Sequence, residues 1–289
     1  MPKLGVITDG ISREFEHALT VMNETGLKYA ELQYLWDKEV GDLNDAEITK
    51  AQSLIKAYEM QVSCISRHNF AGMLVGDTEV GDENYNRHMD GLQRCIDMAL
   101  ELGTNVVRIM SFRREMILFG SMGADHWVTS TGAWDKLLKL LELPVKLAEE
   151  KNINLVLETG NNAMVPSAWL GKKLINDIGS DRLRILWDPA NSLYANEPTY
   201  PDGWEALKDG YIGHFHIKDA KVNMAHAHVE FCEMGKGDMA PYLEPLANEM
   251  KLNNYNGYIS LESVYRPEGG SFEDGYRASL PKFKELFDW

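Results

Sequence analysis

Along the chain, short apolar runs alternate with longer amphipathic segments. KLGVIT (3–8) leads into EFEHALTVMNETG, YAELQYLW (29–36) into LNDAEITKAQSLIKAYEM, and QVSCIS (61–66) into ENYNRHMDGLQRCIDMALELG. NVVRIM (105–110) precedes GAWDKLLKLLELPVKLAEEKN, INLVLE (153–158) precedes SAWLGKKLINDIG, and LRILWD (183–188) precedes GWEALKDG. IGHFHI (212–217) precedes APYLEPLANEMKLNN, and GYISLE (257–262) precedes FEDGYRASLPKFKELF. The short runs fit buried strands; the long ones fit helices with one apolar face. Helices between strands enforce parallel pairing through right-handed crossovers. Eight such units in 289 residues predict an α/β fold, a (β/α)8 TIM barrel. No Pro/Gly/Ser-rich linker divides the chain, so residues 1–289 are expected to form a single domain. An open doubly wound sheet is the competing fold. Its first turn usually carries a glycine-rich phosphate loop, and TDGIS has a single glycine.

The longest strand-to-helix excursions follow strands three, four and seven. They are RHNFAGMLVGDTEVGD, SFRREMILFGSMGADHWVTST and KDAKVNMAHAHVEFCEMGKGDM. All leave the carboxyl ends of strands, where a barrel carries its chemistry. They are expected to form lids or substrate walls.

Strand alternation in GHFHIKD puts His214, His216 and Lys218 on one face, and Phe215 and Ile217 on the other. Four late strands end in a side chain that suits a metal: Glu158, Asp188, His216 and Glu262. A lone strand-end acid is more often a helix cap or an ion-pair partner. Four at successive strand ends converge on the barrel mouth, where three carboxylates repel one another unless a cation sits among them. Three oxygen ligands and one imidazole suit Mn²⁺, Mg²⁺ or Co²⁺ better than a thiolate cage suits zinc. His214, one layer below His216, is expected to be buried and hydrogen-bonded. Lys218 would bind a substrate oxygen or be solvated, and Asp219 would cap the next turn. Arg67 and His68 would touch substrate or form a loop ion pair and a surface imidazole. Arg108 is costly to bury without an acid, for which Glu31 is the candidate. His226 and His228 are read as non-ligands, and Trp36 and Trp187 as core.

Composition narrows the partners. The formal net charge is −15 with a pI near 5.0, which argues against nucleic acid. No apolar run approaches the roughly 20 residues that span a membrane, and the N-terminus lacks a signal-peptide layout. Three scattered cysteines without a CxxC fit a reducing, cytoplasmic setting.

LVLE, LWDPAN, HFHIKD and ISLES, with YAELQ on strand two and GKGD before the seventh helix, carry a resemblance over essentially the whole chain. The sequence is similar to the xylose-isomerase-like TIM-barrel superfamily of sugar phosphate isomerases and epimerases. The resemblance implies a divalent metal ion, Mn²⁺ ahead of Mg²⁺ or Co²⁺, on Glu158, Asp188, His216 and Glu262. It also implies that Glu158 and Glu262 are the acid/base pair, in an order left open. The expected reaction is isomerisation or epimerisation through a metal-stabilised enediolate. Expected substrate contacts are His68, Arg67, Asn191, Lys218, Arg108 and Lys221. Asn191 stands where many members have a histidine, ETGNN lacks another, and Lys221 lies near the place of the epimerases' arginine. These departures argue against the AP-endonuclease branch. They keep open a metal-dependent lyase (decarboxylase, dehydratase or 3-oxo-glycoside cleavage) and, from a different class, a non-catalytic sugar-binding barrel subunit. The expected partner is a small-molecule sugar or keto-sugar, with no nucleic acid, no membrane and a homo-oligomeric state.

Overall fold

The computed structural model describes residues 1–114 and 132–288. The strands are β1 (Lys3–Ile7), β2 (Tyr29–Leu32), β3 (Tyr34–Leu35), β4 (Lys38–Glu39), β5 (Gln61–Ile65) and β6 (Val106–Met110). They continue as β7 (Asn154–Glu158), β8 (Leu183–Trp187), β9 (Ile212–Ile217), β10 (Asp219–Asn223), β11 (His228–Cys232) and β12 (Tyr258–Leu261). The helices are α1 (Phe15–Thr25), α2 (Asp45–Ala57), α3 (Glu83–Glu101), α4 (Ala133–Lys151), α5 (Ala168–Ile178), α6 (Pro189–Tyr194), α7 (Trp204–Leu207), α8 (Ala240–Leu252) and α9 (Phe272–Phe287).

Strands β1, β2, β5, β6, β7, β8, β9 and β12 close a barrel in chain order, every pair parallel. This is the predicted (β/α)8 TIM barrel. Its alternation sorts the apolar residues into two clusters. Outward-facing Val107, Ile109, Leu155, Leu157, Ile185, Trp187, Phe215 and Ile217 meet the apolar faces of the helices. Phe215 is fully buried against Trp187, at a ring separation of 5.5 Å, and such burial contributes about 1.5–3 kcal/mol. Inward-facing Cys64, Val106, Val156 and Leu186 form a separate plug, with Tyr258 packed on it.

Three local features depart from the sequence reading. YAELQYLW is not one strand: it breaks at Gln33 and turns back through the β3–β4 hairpin. Trp36 and Asp37, both at positive φ, form its two-residue turn. DPAN starts a helix, α6, because Asp188 caps it and Pro189 fits its first position; GWEALKDG yields only the four-residue α7. The excursion after strand seven contains the antiparallel hairpin β10–β11. His226 and His228 are exposed on it. Most of the excursion after strand four, including His126, lies outside the described residues. Among those described, no helix is long and apolar enough to cross a membrane.

Candidate active site

Above the apolar plug the inward side chains turn polar, and two register shifts aim them. On β5, Ser63 is the extra residue opposite the Ala30–Glu31 step. On β9 it is Gly213, opposite the Ile185–Leu186 step. A Cβ at Gly213 would come 2.7 Å from Val156 Cγ1 and 2.8 Å from Arg184 Cβ, so the bulge needs glycine. Beyond it, His214 and His216 both point inward, as alternation predicted.

Glu31 lies fully buried between those imidazoles. His214 Nε2 is 2.8 Å from Oε2 and His216 Nε2 is 2.8 Å from Oε1; Ser66 Oγ also donates to Oε1. Burial opposes ionisation of Glu31, but His216 and then His214 outweigh it and hold the carboxyl well below its usual range. Glu31 is therefore not the partner of Arg108. That guanidinium donates to Glu158 Oε2 at 2.8 Å, Gln33 Oε1 at 3.0 Å and the Ser66 carbonyl at 2.5 Å. Glu31 was within reach of the sequence reading, but alternation assigns a face, not a partner across the barrel.

With Nε2 on Glu31, the His216 ring turns Nδ1 toward Glu158 Oε1 at 3.5 Å and Glu262 Oε2 at 3.4 Å. Nδ1 is buried and makes no hydrogen bond, and one ligand atom from each of the three residues lies within 4.8 Å of the others. Asp188 joins less directly. Its Oδ1 accepts from the Ala190 N–H at 3.0 Å, while Oδ2 is 2.5 Å from Lys218 Nζ. The same ammonium is 2.9 Å from Glu262 Oε2. Burial pushes Asp188 up to about 7, with Lys218 pulling it down and Glu262 pushing it up. Burial also opposes the charges of Glu158 and Glu262. Arg108 overcomes it for Glu158 and Lys218 for Glu262, so both are held below the usual carboxylate range.

The donor set suits a cation. Glu31, Glu158, Asp188 and Glu262 supply four carboxyl groups, of which Asp188 is pushed up to about 7; Arg108 and Lys218 supply two permanent cations, and Glu31, with Glu158 and Glu262, draws the His216 imidazole toward its charged form. A divalent ion would take the place of the imidazole proton on Nδ1 of His216, an atom that makes no hydrogen bond and faces two carboxylates. The residues present fit such an ion: Glu158, His216 and Glu262 directly, with Asp188 free to join if Lys218 swings aside.

The remaining candidates divide. Arg67 is tied to Asp42 Oδ1 at 2.6 Å and to the Val40 carbonyl. His68 Nδ1 is 2.7 Å from Glu39 Oε1. Asn191 is buried and donates to the Thr159 carbonyl at 2.7 Å. Lys221 is exposed on β10. Asp219 does cap a turn: its carboxylate accepts from the N–H groups of Ala220, Gly235, Gly237 and Met239, pinning GKGD beneath the hairpin. Phe231 of that hairpin lies over Lys218, 5.6 Å from Nζ to the ring centre. Two residues escaped the sequence reading. Gln33 and Asp9 line a cavity of about 450 Å³ that opens beside Glu262. The only hint was an acid directly after the first strand, in TDG.

A xylose isomerase-like TIM barrel family model matches residues 19–286. No curated protein matches by sequence. Solved structures of the same fold include a 3-keto-D-glucoside 4-epimerase from E. coli, at 18% identity and TM-score 0.69, covering 99% of this chain and 100% of that one. A probable 3-DHS dehydratase from Bacillus anthracis is 14% identical, with TM-score 0.72 and coverage of 98% and 99%. An IolI protein with a bound zinc atom is 15% identical, with TM-score 0.70 and coverage of 98% and 97%.

Proposed function

The chain belongs to the xylose isomerase-like TIM barrel family, and from that premise we propose that it is a divalent-metal-dependent isomerase or epimerase of a small sugar or keto-sugar. The observation that carries this reading is the buried Nδ1 of His216, which makes no hydrogen bond and faces Glu158 Oε1 at 3.5 Å and Glu262 Oε2 at 3.4 Å, with one ligand atom from each of the three residues within 4.8 Å of the others. Glu158, Asp188, His216 and Glu262 would hold the ion. The similar IolI structure binds a zinc atom, which supports metal binding by this chain; Mn²⁺, Mg²⁺ and Co²⁺ suit the oxygen-rich donor set here. Bound there, a divalent ion polarises a carbonyl and stabilises the charge of an enediolate.

The chain's own residues do the rest. Glu158 and Glu262 flank His216 from two strands, so one can remove the proton next to the carbonyl and the other can return it. Arg108 keeps Glu158 ionised and aimed. Lys218 is placed to hold a substrate oxygen beside Glu262. Arg67 and His68 would border the substrate from the rim, and Asn191 would brace the wall. The three free, buried cysteines support a reducing, cytoplasmic setting.

A lyase outcome has one observation of its own. Elimination needs an acid for the departing oxygen next to the base, and Lys218 lies 2.9 Å from Glu262. Incubating Mn²⁺-loaded protein with ketoses and keto-glycosides in D₂O separates the readings. Deuterium exchange next to the carbonyl, at full carbon count, marks the isomerase; dehydrated or smaller products mark the lyase. Glu158→Gln and Glu262→Gln should each lower turnover at least about 10²-fold in folded protein. Full activity in either variant would overturn the acid/base assignment, and a barrel that takes up no metal and exchanges no proton would overturn the proposal and favour a non-catalytic sugar-binding subunit.

A further inference from the structure

Relying on the reading above for the position of the reacting carbon, we infer that the substrate is uncharged at its far end. It is an unphosphorylated sugar or glycoside, and Asp9 accepts a hydrogen bond from one of its distal hydroxyls. The cavity beside Glu262 sets this specificity. At about 450 Å³ it is within the range of small-molecule sites. Its floor is wired to the chemistry: Gln33 Nε2 donates to Asp9 Oδ2 at 3.4 Å, and Gln33 Oε1 accepts from Arg108, whose other nitrogen holds Glu158. Asp9 Oδ1 already accepts from the Tyr34 N–H at 3.2 Å. A carboxylate has about four acceptor positions, so Asp9 keeps capacity for a hydroxyl. Ile11, Val264 and Phe272 on the other walls suit the C–H faces of a sugar.

The cavity is poorly built for a phosphate. Barrels commonly seat a phosphate at the N-terminus of a helix near strands seven and eight. Here the helix after the eighth strand, α9, does reach the cavity wall with Ser271 and Phe272. Its end is closed by its own side chains. Ser271 Oγ accepts from the Asp274 N–H, Asp274 Oδ2 accepts from the Ser271 N–H at 2.7 Å, and Glu273 and Asp274 fill the first turn. A phosphate there would meet Asp9 and the capped end of α9 with Asp274; Glu273 is turned to His17 and Arg277, and Glu262, on the cavity wall, is shared with Lys218. Among the described residues, Arg13 is the one cation lining the cavity. It is paired with Asp37 at 3.0 Å and stacked over the Tyr34 ring. Residues 115–131 contain no lysine or arginine in their sequence.

Saturation-transfer NMR on the Mg²⁺-loaded protein tests this with two matched pairs: D-fructose against D-fructose 6-phosphate, and L-ribulose against L-ribulose 5-phosphate. The neutral member of each pair should bind about tenfold more tightly, given like charges held at close range. Asp9→Ala should weaken the neutral ketoses about tenfold, the loss of one hydrogen bond to a charged group. Asp9→Asn, which keeps the acceptor for Tyr34 and so protects the fold, should narrow the discrimination against phosphate. Equal or tighter phosphate binding, an unchanged affinity in Asp9→Ala, or no binding by any of the four would overturn the inference. Neutral ketoses that bind without exchanging deuterium would overturn the proton-transfer reading instead and leave this one standing. Exchange on the phosphorylated ketoses alone would do the reverse.

Discussion

Glu31 spends both carboxylate oxygens on imidazoles in a fully buried layer, with Ser66 as a third donor. Glutamine in its place offers one acceptor and one donor. One histidine would face an N–H where it now meets a carboxylate, and a positive imidazole would lose its counter-charge. Glu31→Gln should therefore cost about 3–5 kcal/mol, as when one partner of a buried ion pair is removed. Urea unfolding of the two proteins measures it; a change under about 1 kcal/mol would mean that the carboxylate's charge is not holding the histidines. At this scale the sequence disclosed faces better than partners. Alternation put His214, His216 and Lys218 on the inner face, where they lie. It could not say that Arg108 would reach Glu158 while Glu31 crossed to strand β9. Nor could it say that Lys218 would insert between Asp188 and Glu262, because those contacts depend on barrel closure and on a bulge at Gly213 whose one local sign is a glycine inside the strand.

Contacts between elements hold the rim of the site. The loop after β5 is anchored where the Phe70 N–H donates to His88 Nδ1 on α3 at 3.0 Å, and the Phe70 ring stacks on Phe112, 5.0 Å away. Phe70 and Phe112 both sit at positive φ, a conformation bulky residues adopt only when their surroundings impose it. Burial, with Arg87 and Arg67 adding to it, keeps His88 below its ordinary value of 6.5. The unfolded chain thus takes up a proton below about pH 6.5 that the folded chain resists. The stabilisation from this contact is complete above that pH and is lost as pH falls through the lower folded-state value. His88→Asn keeps an acceptor but cannot titrate. Between pH 7.5 and 5 its unfolding free energy should fall less steeply than that of the parent; parallel slopes would discount His88. Such anchors were invisible in the sequence, as were both hairpins. Helix α6 was legible in hindsight from Asp188 and Pro189, a cap followed by a residue preformed for the first helical turn.

For the molecule as a whole, eight repeats of strand and helix were enough to specify the barrel, because period, length and crossover handedness all agree on one closed sheet. What the barrel does with its charge is a further matter. The chain carries a net −15, and at the mouth the carboxyl groups of Glu31, Glu158, Asp188 and Glu262 gather around His216, Arg108 and Lys218. A divalent ion that binds only the folded barrel must stabilise it by mass action. At a hundredfold excess over its dissociation constant the gain is about 2.7 kcal/mol, or about 5–10 °C in Tm for a chain of this size. Mn²⁺ should raise the melting temperature by that much and EDTA should return it. Glu158→Gln and Glu262→Gln should abolish most of the shift, because each removes a ligand charge. Lys218→Met should enlarge it, since it frees Asp188 from a competing cation. A melting temperature indifferent to Mn²⁺ in the parent and in Lys218→Met alike would mean that the ammonium of Lys218 and the imidazole of His216 already satisfy this pocket, and that the chain's chemistry does not run through a metal.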